Sequence, residues 1–330
     1  MGHKVVPVAD DVWMMAREHP TSLRRSTQEL ADALEQRYGS RFAVWRTDEF
    51  VFGVRAGKLV LRTLGGADVP SPAVVLVRQV PGSMDHDREV TLLRHLERMG
   101  ATLLNPLDAH LLCRNKIWQL QELALAGLPV PDTLSYATAP LEGVVRTADL
   151  GAPYVVKPVT GYQGNSVFLA RGTRLLREIG PALAVTAPLV FQQYVAPSHG
   201  RDLRVLVVDG KVVAAYVRTS HNGALASNIA QGGVGSSCLG DYPRAESLAV
   251  LAARTLGLAI AGVDLLFTAT DCFLICEVNS VPGWRPAMTA VVPAILDCVS
   301  RCLAAHSWAL GETTGVVEQY RPADDVYLDG

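Results

Sequence analysis

The stretch from Ala261 to Trp284, AGVDLLFTATDCFLICEVNSVPGW, constrains the chain more than any other. It reads as two apolar strands, Val263 to Phe267 and Phe273 to Val278, joined by a polar turn that contains Asp271. Three oxygen-bearing residues, Asp264, Glu277 and Asn279, interrupt these strands. Side chains alternate along a strand, so Glu277 and Asn279 point the same way. Pairing Phe267 with Cys272 across the turn sets Asp264 opposite Ile275 and diagonal to Glu277, with all three on one face. Such groups are costly to bury without compensation. A hard cation with phosphates compensates them well, because magnesium takes oxygen ligands. The plainer alternative is a half-exposed hairpin whose polar residues face water.

A chain of 330 residues with 49% apolar content is long enough for about two or three domains with proper cores. The net charge of −2 and the lack of a basic run argue against a nucleic-acid partner. The six cysteines, Cys113, Cys238, Cys272, Cys276, Cys298 and Cys302, form no disulfide framework. The pairs Cys272/Cys276 and Cys298/Cys302 suggest a metal site, but the first sits inside an apolar strand and the second inside an apolar helix, so buried free thiols are the expectation, which fits a reducing cytoplasm. Asp10 and Asp11 break the N-terminal apolar patch short of a signal-peptide core. The stretch Leu248 to Phe267 is cut by Arg254 and Asp264, so it reads as helix then strand and no membrane partner is expected.

The first 108 residues alternate helix and strand. A helix is expected over Ser26 to Arg37, strands over Phe42 to Val54, Lys58 to Leu64 and Val74 to Val80, a helix over Arg88 to Arg98 and a strand over Thr102 to Leu104. Next come a helix over Lys116 to Ala126, stopped by Gly127 and Pro129, and a strand over Tyr154 to Lys157. A short helix over Arg174 to Ile179 and a strand over Leu189 to Val195 follow. Asp209-Gly210 is a tight-hairpin signal joining Leu203–Val208 to Lys211–Arg218. Thr219 to Leu239 reads as irregular chain. Helices from Pro243 to Gly257 and from Pro293 to Ala305 complete the chain before a loose tail.

Lys157 ends a strand just before the loop Gly161-Tyr162-Gln163-Gly164. A cation beside glycines that let backbone N–H groups approach closely suits a polyphosphate. A plain hairpin turn with a solvated lysine is the alternative. Asp202 and Arg204 share a face of their strand. An ideal two-residue turn pairs Arg204 with Ala215 and puts Arg218 on the other face, so convergence of the two arginines requires a bulge.

The ordered motifs NKIWQLQELALAGLPVP, YVVKPVTGYQGNSV, VFQQYV, GRDLRVLVVDGKVVAAYVR, SNIAQGG, GVDLL and CEVNSVPG resemble the ATP-grasp superfamily. They look most like its RimK-like α-L-glutamate ligase branch, over roughly residues 105 to 300. The resemblance implies an α/β (α+β) fold of three consecutive subdomains, with nucleotide between the central and C-terminal ones. The expected division is an N-terminal α/β domain over 1–108, a central subdomain over 109–190, a C-terminal subdomain over 191–310 and a tail over 311–330. It further implies that Lys116 and Lys157 grip the phosphates of ATP and that Gly161, Gln163 and Gly164 form the phosphate loop. Gln192, Gln193, Tyr194 and Val195 match the adenine hinge, and Asp202 matches a ribose contact. Asp264, Glu277 and Asn279 match the magnesium ligands, with manganese as a possible substitute. Arg204, Arg218 and Asn228 match positions near the transferring phosphoryl group and the acceptor.

The implied reaction is ATP-dependent C–N bond formation through an acyl phosphate. It joins an amino acid, glutamate or another, to a small-molecule or carrier-bound carboxylate, and a homo-oligomer is admitted. His221 and Ala226 stand where glutamate ligases of this branch carry basic residues, which leaves the amino acid open. Alternatives are a ligase for a different amino acid and a non-catalytic, synapsin-like ATP-binding module.

Overall fold

The computed structural model describes residues 12–17, 23–79, 84, 86–141, 143–144, 151–161, 167–172, 188–220, 223–225 and 234–313. The chain opens with β1 (Val12–Ala16), α1 (Arg25–Tyr38), β2 (Phe42–Arg46), β3 (Phe50–Arg55), β4 (Lys58–Thr63), β5 (Val74–Val77), α2 (Thr91–Arg98) and β6 (Thr102–Leu104). Four of these strands form a parallel sheet in the order β2-β1-β5-β6. Every residue of β1 is buried, as a central parallel strand covered on both faces must be. Its run VWMMA therefore has no alternation to mark it as a strand. The expected strand over Phe42 to Val54 is instead two, separated by a 3₁₀ turn at Thr47–Glu49 in which the Glu49 carboxylate accepts from the Arg46 N–H. The second of them leaves the parallel sheet to form a hairpin with β4. The strand expected to reach Val80 ends at Val77, and the helix expected from Arg88 becomes α-helical only at Thr91, after a π turn at His86–Val90.

Two short helices, α3 (Leu107–Arg114) and α4 (Lys116–Leu125), meet at Asn115. The Asn115 side chain accepts from the N–H groups of Ile117 and Trp118 and so caps α4. Strands β7 (Thr133–Leu134), β8 (Tyr154–Pro158), β9 (Phe168–Ala170) and β10 (Leu189–Gln193) then form an antiparallel sheet in the order β7-β10-β8-β9. Strand β10 stops at Gln193 rather than Val195, because Ala196–Ser198 turns into a 3₁₀ segment. This sheet packs its own small core from Tyr154, Val156, Ala170, Leu189 and Phe191. The helix expected over Arg174 to Ile179 lies outside the described residues.

The largest sheet has five strands in the order β13-β12-β11-β14-β15. They are β11 (Arg201–Val208), β12 (Lys211–Thr219), β13 (Val234–Ser237), β14 (Ile260–Ala269) and β15 (Cys272–Asn279), with α5 (Pro243–Thr255) before β14 and α6 (Val291–Thr313) at the end. Strand β13 falls within the stretch expected to be irregular; its VGSS sequence is too short and too small to show a pattern. Helix α6 begins before Pro293, which occupies its first turn, where a missing N–H costs nothing. Asp209 and Gly210 both have positive φ, 48° and 71°, as a primed hairpin turn requires.

Three register shifts replace the expected pairings. A shift between Leu206 and Val207 pairs Arg204 with Tyr216 instead of Ala215, and so places Arg218 opposite Asp202. A second shift, between Asp264 and Leu265, sets Asp264 directly opposite Glu277 instead of Ile275, and a third, between Phe267 and Ala269, leaves Phe267 paired with Phe273 instead of Cys272. An extra residue on one strand moves everything beyond it by one position. No alternation pattern announces such a step.

One face of this sheet carries Leu203, Val205, Val207, Val263 and Ile275 into a core beneath α5. The other face is split along its length. Leu206, Val208, Ala214 and Ile260 pack with Leu30, Val74 and Ile295 in a core shared with the first unit and α6. Further along the same face stand Asp202, Arg204, Arg218 and Asp264. The apolar half ties the two sheets together, and the charged half is left for chemistry.

Candidate active site

Strand β15 is an edge of the large sheet, and the preceding unit covers it. The Ile275 N–H donates to the Pro129 carbonyl at 2.8 Å, and the Val278 N–H donates to the Gln119 side chain at 2.5 Å. These bonds satisfy backbone donors that an open edge would expose. They also hold α4 against Glu277. Lys116, the first residue of α4, has its Nζ 4.0 Å from Glu277 Oε1 and donates to the Gly161 carbonyl at 3.2 Å. Lys157, on β8, donates to Gln192 Oε1 at 2.9 Å and lies 3.8 Å from Cys276 Sγ. Consecutive residues of β15 thus both reach lysines of the neighbouring unit, which the bulge between them and Asp264 permits.

Both lysines are buried. Burial lowers the Lys116 pKa below the ordinary lysine value; Glu277 opposes that fall, and the positive charge of nearby Lys157 adds to it. Two cations held this close in a desolvated cleft favour an anion between them. Gln192 fixes Lys157 and is itself anchored, donating from Nε2 to Thr133 Oγ1 at 2.9 Å. In the hinge, the Gln193 N–H is taken by the Asp132 carbonyl at 2.8 Å and the Val195 carbonyl accepts from the Ser198 N–H at 2.9 Å. The Tyr194 hydroxyl bonds His199 Nδ1 at 2.9 Å.

On the large sheet, four charges alternate in sign. Arg218 donates from Nε to Asp202 Oδ1 at 2.6 Å and from Nη2 to Asp202 Oδ2. The same Nη2 lies 3.0 Å from Asp264 Oδ2. Arg204 donates to both oxygens of Asp264, each at 2.5 Å. Arg218 is 4% exposed and Asp264 7%. Burial works to raise the Asp264 pKa, but Arg204 and Arg218 more than overcome it and hold the carboxyl below its usual range. Burial raises Asp202 against the pull of Arg218.

Asp264 faces Glu277, and Asn279 faces Gly262 two pairs along, with Asn279 Nδ2 toward the Gly262 carbonyl at 3.4 Å. The donor set is hard oxygen, as magnesium requires. Among the described residues no three of His, Cys, Asp and Glu gather as a metal cluster, so a cation here would complete its shell with phosphate and water. Gln163, Gly164 and Asn228, with His221 and Ala226, lie outside the described residues. Gln119 and Cys276 were not singled out for this site by the sequence. A wholly buried glutamine on the inward face of an amphipathic helix is a signal that could have marked the first; nothing in the alternation could have marked the second.

Comparison with known proteins sets this geometry in context. A family model described as a RimK-like ATP-grasp domain matches residues 113–293. The human beta-citrylglutamate synthase B is 40% identical over 241 residues, covering 72% of this chain and 62% of that protein. The human N-acetylaspartylglutamate synthase A is 38% identical over 260 residues, covering 76% of this chain and 66% of that protein. A probable alpha-L-glutamate ligase of Methanococcoides burtonii is 37% identical over 203 residues, 61% of this chain and 66% of that one. The chain thus spans about two thirds or less of the length of these relatives. Among solved structures, the ATP-grasp ligase PsnB complexed with minimal precursor, Mg and ADP superposes with a TM-score of 0.64 at 19% identity, over 89% of this chain and 98% of that one. A RimK domain ATP-grasp protein from Sphaerobacter thermophilus gives 0.64 at 19% identity, over 87% and 98%. The ATP-grasp fold is shared.

Proposed function

The chain belongs to the RimK-like ATP-grasp family, and from that membership we propose that it is an ATP-dependent carboxylate–amine ligase that adds glutamate to a small carboxylic acid. The observation that carries the reading is the junction at β15: Asp264 and Glu277 stand opposite each other, with Lys116 and Lys157 of the neighbouring unit against that strand. In this reading the two lysines hold the phosphates of ATP, and the Gln193 carbonyl and Val195 N–H receive the adenine. Asp264, Glu277 and the Asn279 amide hold magnesium, which when bound neutralises charge on the terminal phosphates. The 109–190 and 191–310 units form the two walls of the nucleotide cleft.

The carboxylate of the acid attacks the γ-phosphorus, which forms an acyl phosphate and releases ADP. The chain contributes mainly position and charge to such a transfer. Arg218, and Arg204 once its hold on Asp264 loosens, stabilise the equatorial oxygens. The amine of glutamate then attacks the acyl carbon, and phosphate leaves as the amide forms. Three relatives whose names specify a glutamyl product or glutamate ligation support glutamate as the amine.

Mass spectrometry tests this. The protein is supplied with ATP, magnesium, glutamate and one acid at a time, beginning with citrate and N-acetylaspartate. The expected product is the acid plus glutamate less one water, formed one for one with ADP. ADP release that ignores the amine would indicate a kinase instead. Tight ATP binding with no turnover on any acid would leave a nucleotide-binding module and end the ligase reading.

A further inference from the structure

Gln119 lies on the inward face of α4, three positions beyond Lys116, and its side chain reaches the backbone of β15. It is 0% exposed, and both ends of its amide are used. Oε1 accepts from the Val278 N–H at 2.5 Å, and Nε2 donates to the Cys113 carbonyl, in the last turn of α3, at 3.3 Å. We propose that Gln119 is a positioning residue that sets Lys116 against β15 and so governs the protein's hold on the phosphates of a nucleoside triphosphate. The proposal rests on the nucleotide-site reading above and deepens it.

Reach and chemistry explain why a glutamine stands there. Residues three apart on a helix share a face, and Lys116, Gln119, Leu120 and Leu123 are the buried residues of α4. Leu123 enters the core of the large sheet with Ile275 and Val278. That contact is apolar and non-directional, so by itself it lets the helix slide or roll along the strand. The Gln119 bond removes this freedom. It acts on the peptide that links Glu277 to Val278, between the two oxygen ligands proposed for the metal, Glu277 and Asn279. One turn back along the same helix, Lys116 Nζ stands 4.0 Å from Glu277 Oε1. Lys116 is itself buried, so a shift of the helix is not absorbed by a loose side chain. The second bond goes to the end of α3, where helical partners for carbonyls run out, and keeps the amide from rotating away. An apolar residue would fill the same space but leave the Val278 N–H buried and unpaired.

Calorimetry with the β,γ-imido analogue of ATP, and with adenosine, tests the proposal on the wild type, Gln119→Met, Gln119→Glu, Lys116→Met and the double variant. Melting curves and ligation kinetics accompany the binding data. Gln119→Met keeps the volume and loses both bonds. Its affinity for the imido analogue should fall about 3- to 10-fold, the scale of one hydrogen bond. Its affinity for adenosine, which carries no phosphate, should stay within about twofold, and KM for glutamate should not move. Gln119→Glu keeps the acceptor and, protonated by burial, the donor, so it should restore most of the loss. In the Lys116→Met background, Gln119→Met should cost no further affinity, because the two residues act as a unit. Leu123→Ala, an apolar truncation on the same face, measures destabilisation alone. It should lower the midpoint at least as far as Gln119→Met, yet keep the wild-type ratio of the two affinities. If Gln119→Met does not fold, Gln119→Asn, which draws both groups back by one methylene, takes its place with the same expectations.

A purely structural bond would behave differently. Equal losses for the two ligands, losses that add in the double variant, or an affinity ratio that falls as far in Leu123→Ala would each overturn the proposal. So would an unchanged affinity for the imido analogue. A wild type that binds the analogue but makes no product ends the ligase reading, while the affinities still judge Gln119. A wild type that binds neither ligand overturns both.

Discussion

Single side chains here trade stability against chemistry in opposite directions. Burial depresses the Lys116 pKa, so its charge is held at a cost that an apolar residue would not bear. Lys116→Met should therefore leave the thermal midpoint unchanged or raised, while ATP affinity falls at least ~10-fold, a pattern common for residues kept for function; calorimetric binding and melting curves check both. Glu277, whose side chain is 24% exposed, tolerates loss of charge. Glu277→Gln should cut ATP turnover by at least ~100-fold, roughly the scale of removing a transition-state charge contact, with the midpoint shifted by no more than ~2 °C. An active Glu277→Gln would remove the metal assignment. His110 is wholly buried, bonds Ser280 Oγ at 2.9 Å, and has a pKa lowered to about 3 by burial and by the nearby charge of Arg78. Its folded pKa lies below the unfolded one, so the stability it contributes is present above pH ~6.5 and is lost as pH falls toward ~3, by about 1.4 kcal/mol per unit. Urea unfolding across that range should show this slope, and His110→Gln should flatten it.

At the level of elements, the site depends on close approaches and on register. Gly262 sits opposite Asn279, and a Cβ there would come within 2.9 Å of Pro282 Cβ and 3.4 Å of Leu206 Cδ2. Gly262→Ala should force the 280–284 loop away from β14, costing about 1–3 kcal/mol as overpacking does and lowering turnover more than that loss of stability alone explains. Denaturant midpoints set beside kcat would separate the two effects. The same elements mark what could be read in the sequence. The β14–β15 hairpin, the positive-φ turn at Asp209-Gly210 and the helix caps were legible because each leaves a local signature in residue type. The facing of Asp264 and Glu277 was legible only in outline, and the convergence of Arg204 and Arg218 only as a condition. Both depend on bulges, whose extra residue looks like any other. Strand β1 was invisible because burial on both faces erases alternation, and β13 because four small or lone apolar residues carry no period.

Across the whole molecule, the first unit and the large sheet share one core, and Asn105 joins them through polar bonds. Its Nδ2 donates to the carbonyls of Ile260 at 2.7 Å and Ser280 at 2.8 Å, and its Oδ1 accepts from the Ile260 N–H at 2.8 Å. Asn105→Ala would strand three buried partners and should destabilise by about 3 kcal/mol or more. Because the core is continuous, calorimetry should show these two units melting in a single transition, with the mutation lowering that transition instead of splitting it. No helix among the described residues is long and apolar enough to cross a membrane. The chain of charges from Asp202 through Arg218 and Asp264 to Arg204 has a bearing on the order in which ligands arrive. Two acids matched by two bases leave the resting protein with little appetite for a free divalent ion. Titrating the nucleotide-free protein with magnesium should give almost no heat, and the ion should enter only as the escort of a triphosphate whose oxygens draw the arginines off Asp264.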